Sequence, residues 1–230
     1  MRLDRFLANL PCYNRQQVRL MLVQRRVRVD GEVAYEPTTE VREFSRVEVD
    51  DQLLQAGRPA RYLMLHKPVG CVSATHDPQH RTVLDLLPAE LRDGLHIAGR
   101  LDFNTTGLMV LTNDGQWSRR LTQPGTKLPK HYLVHTEDDI ADHYVAKFRE
   151  GFYFAFEGLT TQPAQLDILS PRQARLAIVE GRYHQVKRMF GHFDNKVIGL
   201  HRESMGAIRL DPCLQPGEFR ALTAEEIASV

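Results

Sequence analysis

The stretch "HIAGRLDFNTTGLMVLTNDG", residues 96–115, constrains this chain more than any other. Two apolar runs flank a polar segment carrying Arg100 and Asp102, and the second run is closed by the turn residues Asn113, Asp114 and Gly115. A strand, a loop and a second strand are expected, with Asp102 at a strand end, where loops present functional groups. A lone loop aspartate is ordinarily a turn former, so the rest of the sequence must decide what Asp102 does.

Beyond this stretch, alternating and apolar runs predict strands over 62–66, 108–112, 132–135 and 176–180. Helices are expected near 82–87, 116–121, 138–150 and 183–193, which makes the fold class α+β. No internal repeat, no low-complexity tract and neither G-x-G-x-x-G nor G-x-x-x-x-G-K-[ST] is present. Nucleotide-cofactor chemistry has no motif to support it.

The N-terminal residues form a pattern of their own. Leu3, Phe6, Leu7 and Leu10 repeat at helical spacing, and Pro11 is expected to end that helix because its ring cannot continue a helix interior. Asn14 followed by Gln17 has the form of a capping box opening a second helix, whose apolar stripe is Val18, Met21 and Leu22. In "VRVDGEV" the pair Asp30-Gly31 suits the tight turn of a hairpin. The short segment "QAGRPA", 55–60, then separates two domains, 1–58 and 59–230.

The formal charge of the chain is +1, so only its distribution is informative. Residues 1–28 hold seven arginines against Asp4 alone, whereas 30–51 hold eight acids against Arg42 and Arg46. The first helices therefore carry a basic face. Three dispersed cysteines, Cys12, Cys71 and Cys213, suit a reducing compartment and form no C-x-x-C pair. No apolar run approaches the length of a membrane span and no signal pattern opens the chain, so a cytoplasmic protein without membrane attachment is expected. The histidines form no H-E-x-x-H, and "HDPQH" (His76, His80) is expected to be a loop, with no metal bound.

Over roughly its first 58 residues, "RLDRFLANL…NRQQVRLMLVQRRVRVDGEV" resembles the S4 RNA-binding domain. Asn14 stands where that family more often has Ser, and Asp30 where it more often has Asn; both keep the capping and turn chemistry. The resemblance implies a small α/β RNA-binding module, with Arg2, Arg5, Arg15, Arg19 and Arg25 as RNA contacts. Such arginines neutralise successive phosphates and give salt-sensitive affinity largely blind to sequence.

The stretch "GRLDFNTTGL" closely resembles the "GRLD-x-x-T-x-G-L" motif of pseudouridine synthases, in the branch that joins an S4 domain to the catalytic domain. "HKPVG", "KHYLV", "EGRYHQVKRMF" and the run "LHRESMGAIRLDPCLQPGEFRALTAEE" match the same family, so the resemblance covers nearly the whole chain. It implies a mixed, mainly antiparallel sheet in the second domain and conversion of an RNA uridine to pseudouridine. Asp102 is then the catalytic nucleophile or base, and Tyr132 the aromatic that stacks on the target base. Lys187 is the cation beside the aspartate, where the family commonly has Arg; Lys cannot form the bidentate pair. On the helical phase of 183–193, Lys187 borders the apolar face, while His184 and Arg188 project away from it.

Arg100, Lys130, Arg182, His184 and Arg188 are the further expected RNA contacts, and Lys130 could equally serve structure. Arg182, Arg188, Lys196, Arg202 and Arg209 enrich the C-terminal half in positive charge, although a solvated surface explains any one of them. The implied partner is ribosomal RNA, 16S in particular, free or in an assembly intermediate with ribosomal proteins. The chain is expected to act as a monomer without a cofactor. Two alternatives stay open: a sister enzyme acting on large-subunit RNA, and a catalytically idle S4-type assembly factor. A glycosidase would need a second cooperating carboxylate, for which Asp114 is the best-motivated acid.

Overall fold

A reciprocal cap starts the second helix where Asn14 and Gln17 predict it. In the computed structural model, which describes residues 1–123, 125 and 128–230, the Asn14 side chain accepts from the Gln17 N–H at 2.9 Å. The Gln17 side chain in turn accepts from the Asn14 N–H at 2.8 Å. The chain divides into two units, Met1–Ala60 and Arg61–Val230.

The first unit contains α1 (Leu3–Ala8), α2 (Arg15–Val23) and the strands β1 (Val27–Val29), β2 (Glu32–Val33), β3 (Val47–Val49) and β4 (Gln52–Gln55), in sheet order β2-β1-β3-β4. Asp30 and Gly31 both take positive φ, 54° and 86°, as a two-residue hairpin turn requires. Leu3, Leu7, Val18, Met21, Leu22, Val27 and Val47 form its core. Pro11 does not end α1: the helix stops at Ala8, and the Leu10 N–H turns back onto the Leu7 carbonyl at 3.1 Å, tightening the chain before the proline is reached. Arg5, Arg15, Arg19 and Arg25 are exposed, and the Arg25 guanidinium lies 5.7 Å from the Tyr35 ring. Arg2 pairs with Asp4 and Arg26 with Asp50.

The second unit runs β5 (Tyr62–Lys67), α3 (Ala89–Arg92), β6 (His96–Ile97), β7 (Thr106–Thr112), α4 (Gly115–Thr122), β8 (Lys130–Thr136) and α5 (His143–Glu150). It continues through β9 (Tyr153–Phe154), β10 (Leu159–Thr160), β11 (Gln165–Ser170), β12 (Gln173–Ile178), α6 (Gln185–Gly191), β13 (Val197–Met205), β14 (Ile208–Arg209), β15 (Phe219–Ala221) and α7 (Ala224–Ala228). Nine strands make one sheet, ordered β11-β12-β8-β13-β7-β5-β15, with β14 on β13 and β6 on β7. Among the described residues of this sheet only the β13–β7 contact is parallel, so the sheet is mixed and mainly antiparallel.

Residues 62–65 of β5 and 108–111 of β7 are apolar without interruption because both faces of the sheet are covered there. Leu63, Leu65, Met109 and Leu111 face one core with Phe148 of α5 and Phe190 of α6; Met64, Leu108 and Val110 face the other with Trp117 and Leu121 of α4. The helix expected near 82–87 is only a 3₁₀ turn, Leu84–Leu86. The helix expected from 138 begins at His143, because the Asp138 and Ile140 N–H groups donate outward, to Asn195 and Pro171. Among the described residues no helix is long and apolar enough to cross a membrane.

Candidate active site

Residues 98–105 connect β6 to β7 and carry Asp102, and two buried cations hold this loop. Lys67, at the end of β5, is 0% exposed; its ammonium donates to the carbonyls of Pro68 (2.9 Å), Thr105 (2.9 Å) and Phe103 (3.3 Å). Arg202, on β13, is 1% exposed; its guanidinium donates to the carbonyls of Leu108 (2.8 Å), Arg100 (3.4 Å) and Gly99 (3.4 Å). Ser73 completes the frame, its hydroxyl donating to the Leu101 carbonyl at 2.6 Å and accepting the Leu101 N–H at 3.0 Å. The backbone on both sides of Asp102 is thus fixed by groups from other strands and loops.

Neither cation forms a salt bridge among the described residues. Burial pushes the Lys67 ammonium below its usual pKa, while the charges of Cys71 and Asp102 draw it back up and that of Arg202 lowers it further. The parallel contact of β7 with β13 requires Gly107: at φ +108°, a Cβ there would meet the Arg202 carbonyl oxygen at 2.3 Å.

The Asp102 carboxylate, 29% exposed, lies between two nitrogens. Lys187 Nζ is 3.1 Å from Oδ2, and His184 Nε2 is 3.5 Å from Oδ1. The three residues border one cleft. Tyr132 on β8, 7% exposed, lines the same cleft, as do Arg100, Arg182 and Thr105. Asp102, Tyr132 and Lys187 therefore come together from a loop, a strand and a helix distant in sequence.

His184, expected to project away from the apolar helix face, reaches the Asp102 carboxylate. The helical phase assumed a helix from 183, whereas α6 begins at Gln185; His184 sits before it at φ +48°, in the left-handed region, so its ring departs from the helical direction. The ring stacks on Tyr183, with centroids 3.9 Å apart and planes inclined by 18°.

Arg188 is not a free cation for phosphate. Its guanidinium grips the Glu157 carboxylate at 2.6 and 2.8 Å and lies 3.5 Å from the centre of the Phe154 ring, tying α6 to the β9–β10 hairpin. Lys130 lies outside the cleft lining; its ammonium donates to the Leu128 carbonyl at 3.1 Å, and burial lowers its pKa. Arg182 lines the cleft while its side chain contacts Glu180 at 3.1 Å, and Arg100 stays exposed.

Asp114 is a buried cap. Its side chain accepts from the N–H groups of Gln116 and Trp117, both at 3.0 Å, and from the Tyr62 hydroxyl at 2.9 Å. It has no place in the cleft lining, which leaves the two-carboxylate reading without its second acid. His80 is held in its own loop by Asp77. Among the described residues, no group of three or more His, Cys, Asp or Glu side chains is placed to hold a metal ion.

Sequence reasoning missed the Lys67–Arg202 frame. Arg202 had been counted among surface charges, and no local pattern distinguishes it. Lys67 offered a weak signal: a charge ending the apolar run "YLMLHK" beside a proline and a glycine.

Comparison with known proteins identifies the family. The family model of RNA pseudouridylate synthases matches residues 61–192 and that of the S4 domain residues 1–47. The chain is 65% identical over 230 residues to the ribosomal small subunit pseudouridine synthase A of Pseudomonas aeruginosa, covering all of both chains. It is 46% identical to the protein of the same name from Escherichia coli strain K12, again over the whole of both. A crystal structure of a pseudouridylate synthase, 40% identical, superposes with a TM-score of 0.72 over 100% of this chain and 99% of that one. With its Asp102 loop, its sheet and its N-terminal S4 domain, this chain belongs to the RNA pseudouridylate synthase family.

Proposed function

We propose that the enzyme converts one uridine of small-subunit (16S) ribosomal RNA to pseudouridine; the names of its relatives, ribosomal small subunit pseudouridine synthase A, support the subunit. The observation that carries the reading is the Asp102 carboxylate held between Lys187 and His184 at a cleft walled by Tyr132. In the reaction the bond from ribose C1′ to uracil N1 breaks, the base turns, and C1′ bonds to C5. The C5 hydrogen leaves to water and N1 takes up a proton, so substrate and product are isomers. No electron or donor group enters, and no cofactor is required.

Two routes fit an ionised carboxylate here: covalent addition of Asp102, or removal of the 2′ proton to give a glycal-like intermediate. Lys187 supports the negative charge in either route, as a point charge in one contact. The Tyr132 ring stacks on the uracil once it has left the RNA stack, and its hydroxyl assists removal of the C5 proton. Arg100 and Arg182 meet phosphates at the cleft, and Arg2, Arg5, Arg15, Arg19 and Arg25 meet phosphates farther along the RNA. The enzyme acts as a monomer in the cytoplasm, on free RNA or on an assembly intermediate carrying ribosomal proteins.

Mapping pseudouridine in both ribosomal RNAs of cells with and without the gene tests this reading. One position in 16S RNA should revert to uridine in the deletion strain and be restored by the parent gene. Loss of a large-subunit position instead would overturn the assignment.

A further inference from the structure

Tyr183 keeps 72% of its surface in solvent and is nevertheless fixed in place. One face of its ring lies on the His184 imidazole at 3.9 Å. Its carbonyl accepts from Arg188 at 3.3 Å, and Arg188 is itself pinned by Glu157. The preceding Arg182 N–H donates to the buried Gln185 side chain at 2.9 Å, which fixes the turn.

His184 holds a left-handed backbone that non-glycine residues seldom adopt and that persists only where the surroundings impose it. Its side chain makes no capping bond to α6. The conformation instead sets the imidazole between the Asp102 carboxylate, 3.5 Å away, and the Tyr183 ring. The order outward from the cleft is carboxylate, imidazole, phenol ring, solvent. A single exposed tyrosine requires no explanation. An imidazole whose edge nitrogen meets the Asp102 carboxylate while its face carries an exposed phenol ring does.

A uridine that reaches Asp102 must leave its own stack, and its neighbour in the strand then loses a stacking partner. An exposed aromatic face carried between the cleft-lining residues Arg182 and His184 replaces that partner for any base, and a tyrosine with few rotatable bonds does so at small entropic cost. We propose that the open face of Tyr183 stacks on the base adjoining the target uridine and so holds the RNA strand splayed at the cleft. This inference rests on the uridine-modifying reading above.

The test uses RNA fragments spanning the mapped uridine, intact or with the 5′ or the 3′ neighbour replaced by an abasic ribose. Each is titrated with parent protein, Tyr183→Ala and Tyr183→Phe. On intact RNA the Ala variant should bind roughly tenfold more weakly, the size of one lost base–aromatic stack, and the Phe variant should match the parent. On one of the two abasic RNAs the gap between parent and Ala variant should vanish. Tritium release from C5-labelled RNA by the parent protein is followed alongside, to report whether the bound uridine turns over.

A gap that persists undiminished on both abasic RNAs, or a Phe variant as weak as the Ala variant, would overturn the stack. Kd reports the stack whether or not the bound uridine turns over. Absent tritium release by the parent therefore counts against the proposed reaction, and an unaltered binding cycle against Tyr183.

Discussion

The two units use the same side chain in opposite ways. In the first, Arg5, Arg15 and Arg19 stand in solvent with no salt bridge among the described residues. In the second, Arg202 is sealed inside the sheet and donates only to carbonyl oxygens of the strand and loop around Asp102. A solvated guanidinium acts at a distance, is screened by salt and tolerates any register of its partner. A buried one has lost its water and must find every acceptor in a fixed place, so it acts as a structural constraint. The first unit is thereby suited to hold RNA, and in the second the loop carrying Asp102 is held in one conformation.

The largest effect tests what the buried arginine serves. Asp102→Asn keeps the size and hydrogen-bonding capacity of the side chain but loses its charge and nucleophilicity. Tritium release from C5-labelled RNA should fall ~10²- to 10⁴-fold or more, with Kd within about threefold of the parent. Release at the parent rate would return Asp102 to the role of a turn residue.

Arg202→Met comes next. It leaves the carbonyls of Gly99, Arg100 and Leu108 without their donor, and kcat should fall about 10²-fold through displacement of Asp102, with little change in KM. Thermal unfolding should show a loss of about 1–3 kcal/mol, while Arg202→Lys should recover part of the rate. If activity and RNA binding fell together in Arg202→Met, the contrast between the two units would break.

A smaller effect is expected from Arg15→Ala with Arg19→Ala. Binding should weaken, and the slope of log K against log salt should flatten by roughly 1.4–1.8, two phosphate contacts' worth. The saturated rate should stay unchanged. A fall in that rate at constant Kd would give the first unit a part in the chemistry.

The smallest concerns an arginine between the two extremes. Arg220 on β15 is partly buried and bonds both Asp211 and Glu226. Its hydrogen bonds hold the Glu226 carboxyl below the usual range; Asp211 is lowered first by the Cys213 N–H and then by Arg220. Carboxyls lowered in the fold contribute stability above their unfolded pKa and lose it as pH falls through the folded value. Arg220→Met should lower Tm by roughly 2 °C near neutrality, and the difference from the parent should close as a pH series descends below the carboxylate range.

Local chemistry was legible in the sequence wherever a few adjacent residues decide it. The Asn14–Gln17 cap, the Asp30-Gly31 turn and the strand–loop–strand around Asp102 depend on neighbours within a turn or a hairpin, and each has a spacing to recognise. The union of Asp102, Tyr132 and Lys187 was reached through the resemblance of their motifs to those of a family. Non-local structure left no such trace. β13 lies centrally in the sheet, between β8 and β7, yet its segment "VIGLHRESM" alternates poorly and carries three charged or ionisable residues. The contact of His184 with Asp102 left none for a different reason: a left-handed residue precedes α6, and periodicity has no means of registering it.

The position of β13 also orders events in time. Arg202 bonds the Arg100 carbonyl across 102 positions of chain, so the loop carrying Asp102 leaves the ribosome long before the side chain that braces it has been made. At ordinary elongation rates of about 5–20 residues per second, the interval is several seconds. During it β7 lacks its parallel partner and β8 one of its two neighbours. The S4 unit can close within its own 60 residues, because its core is drawn from them alone. A nascent chain therefore acquires a surface able to grip RNA well before it acquires a centre able to modify it.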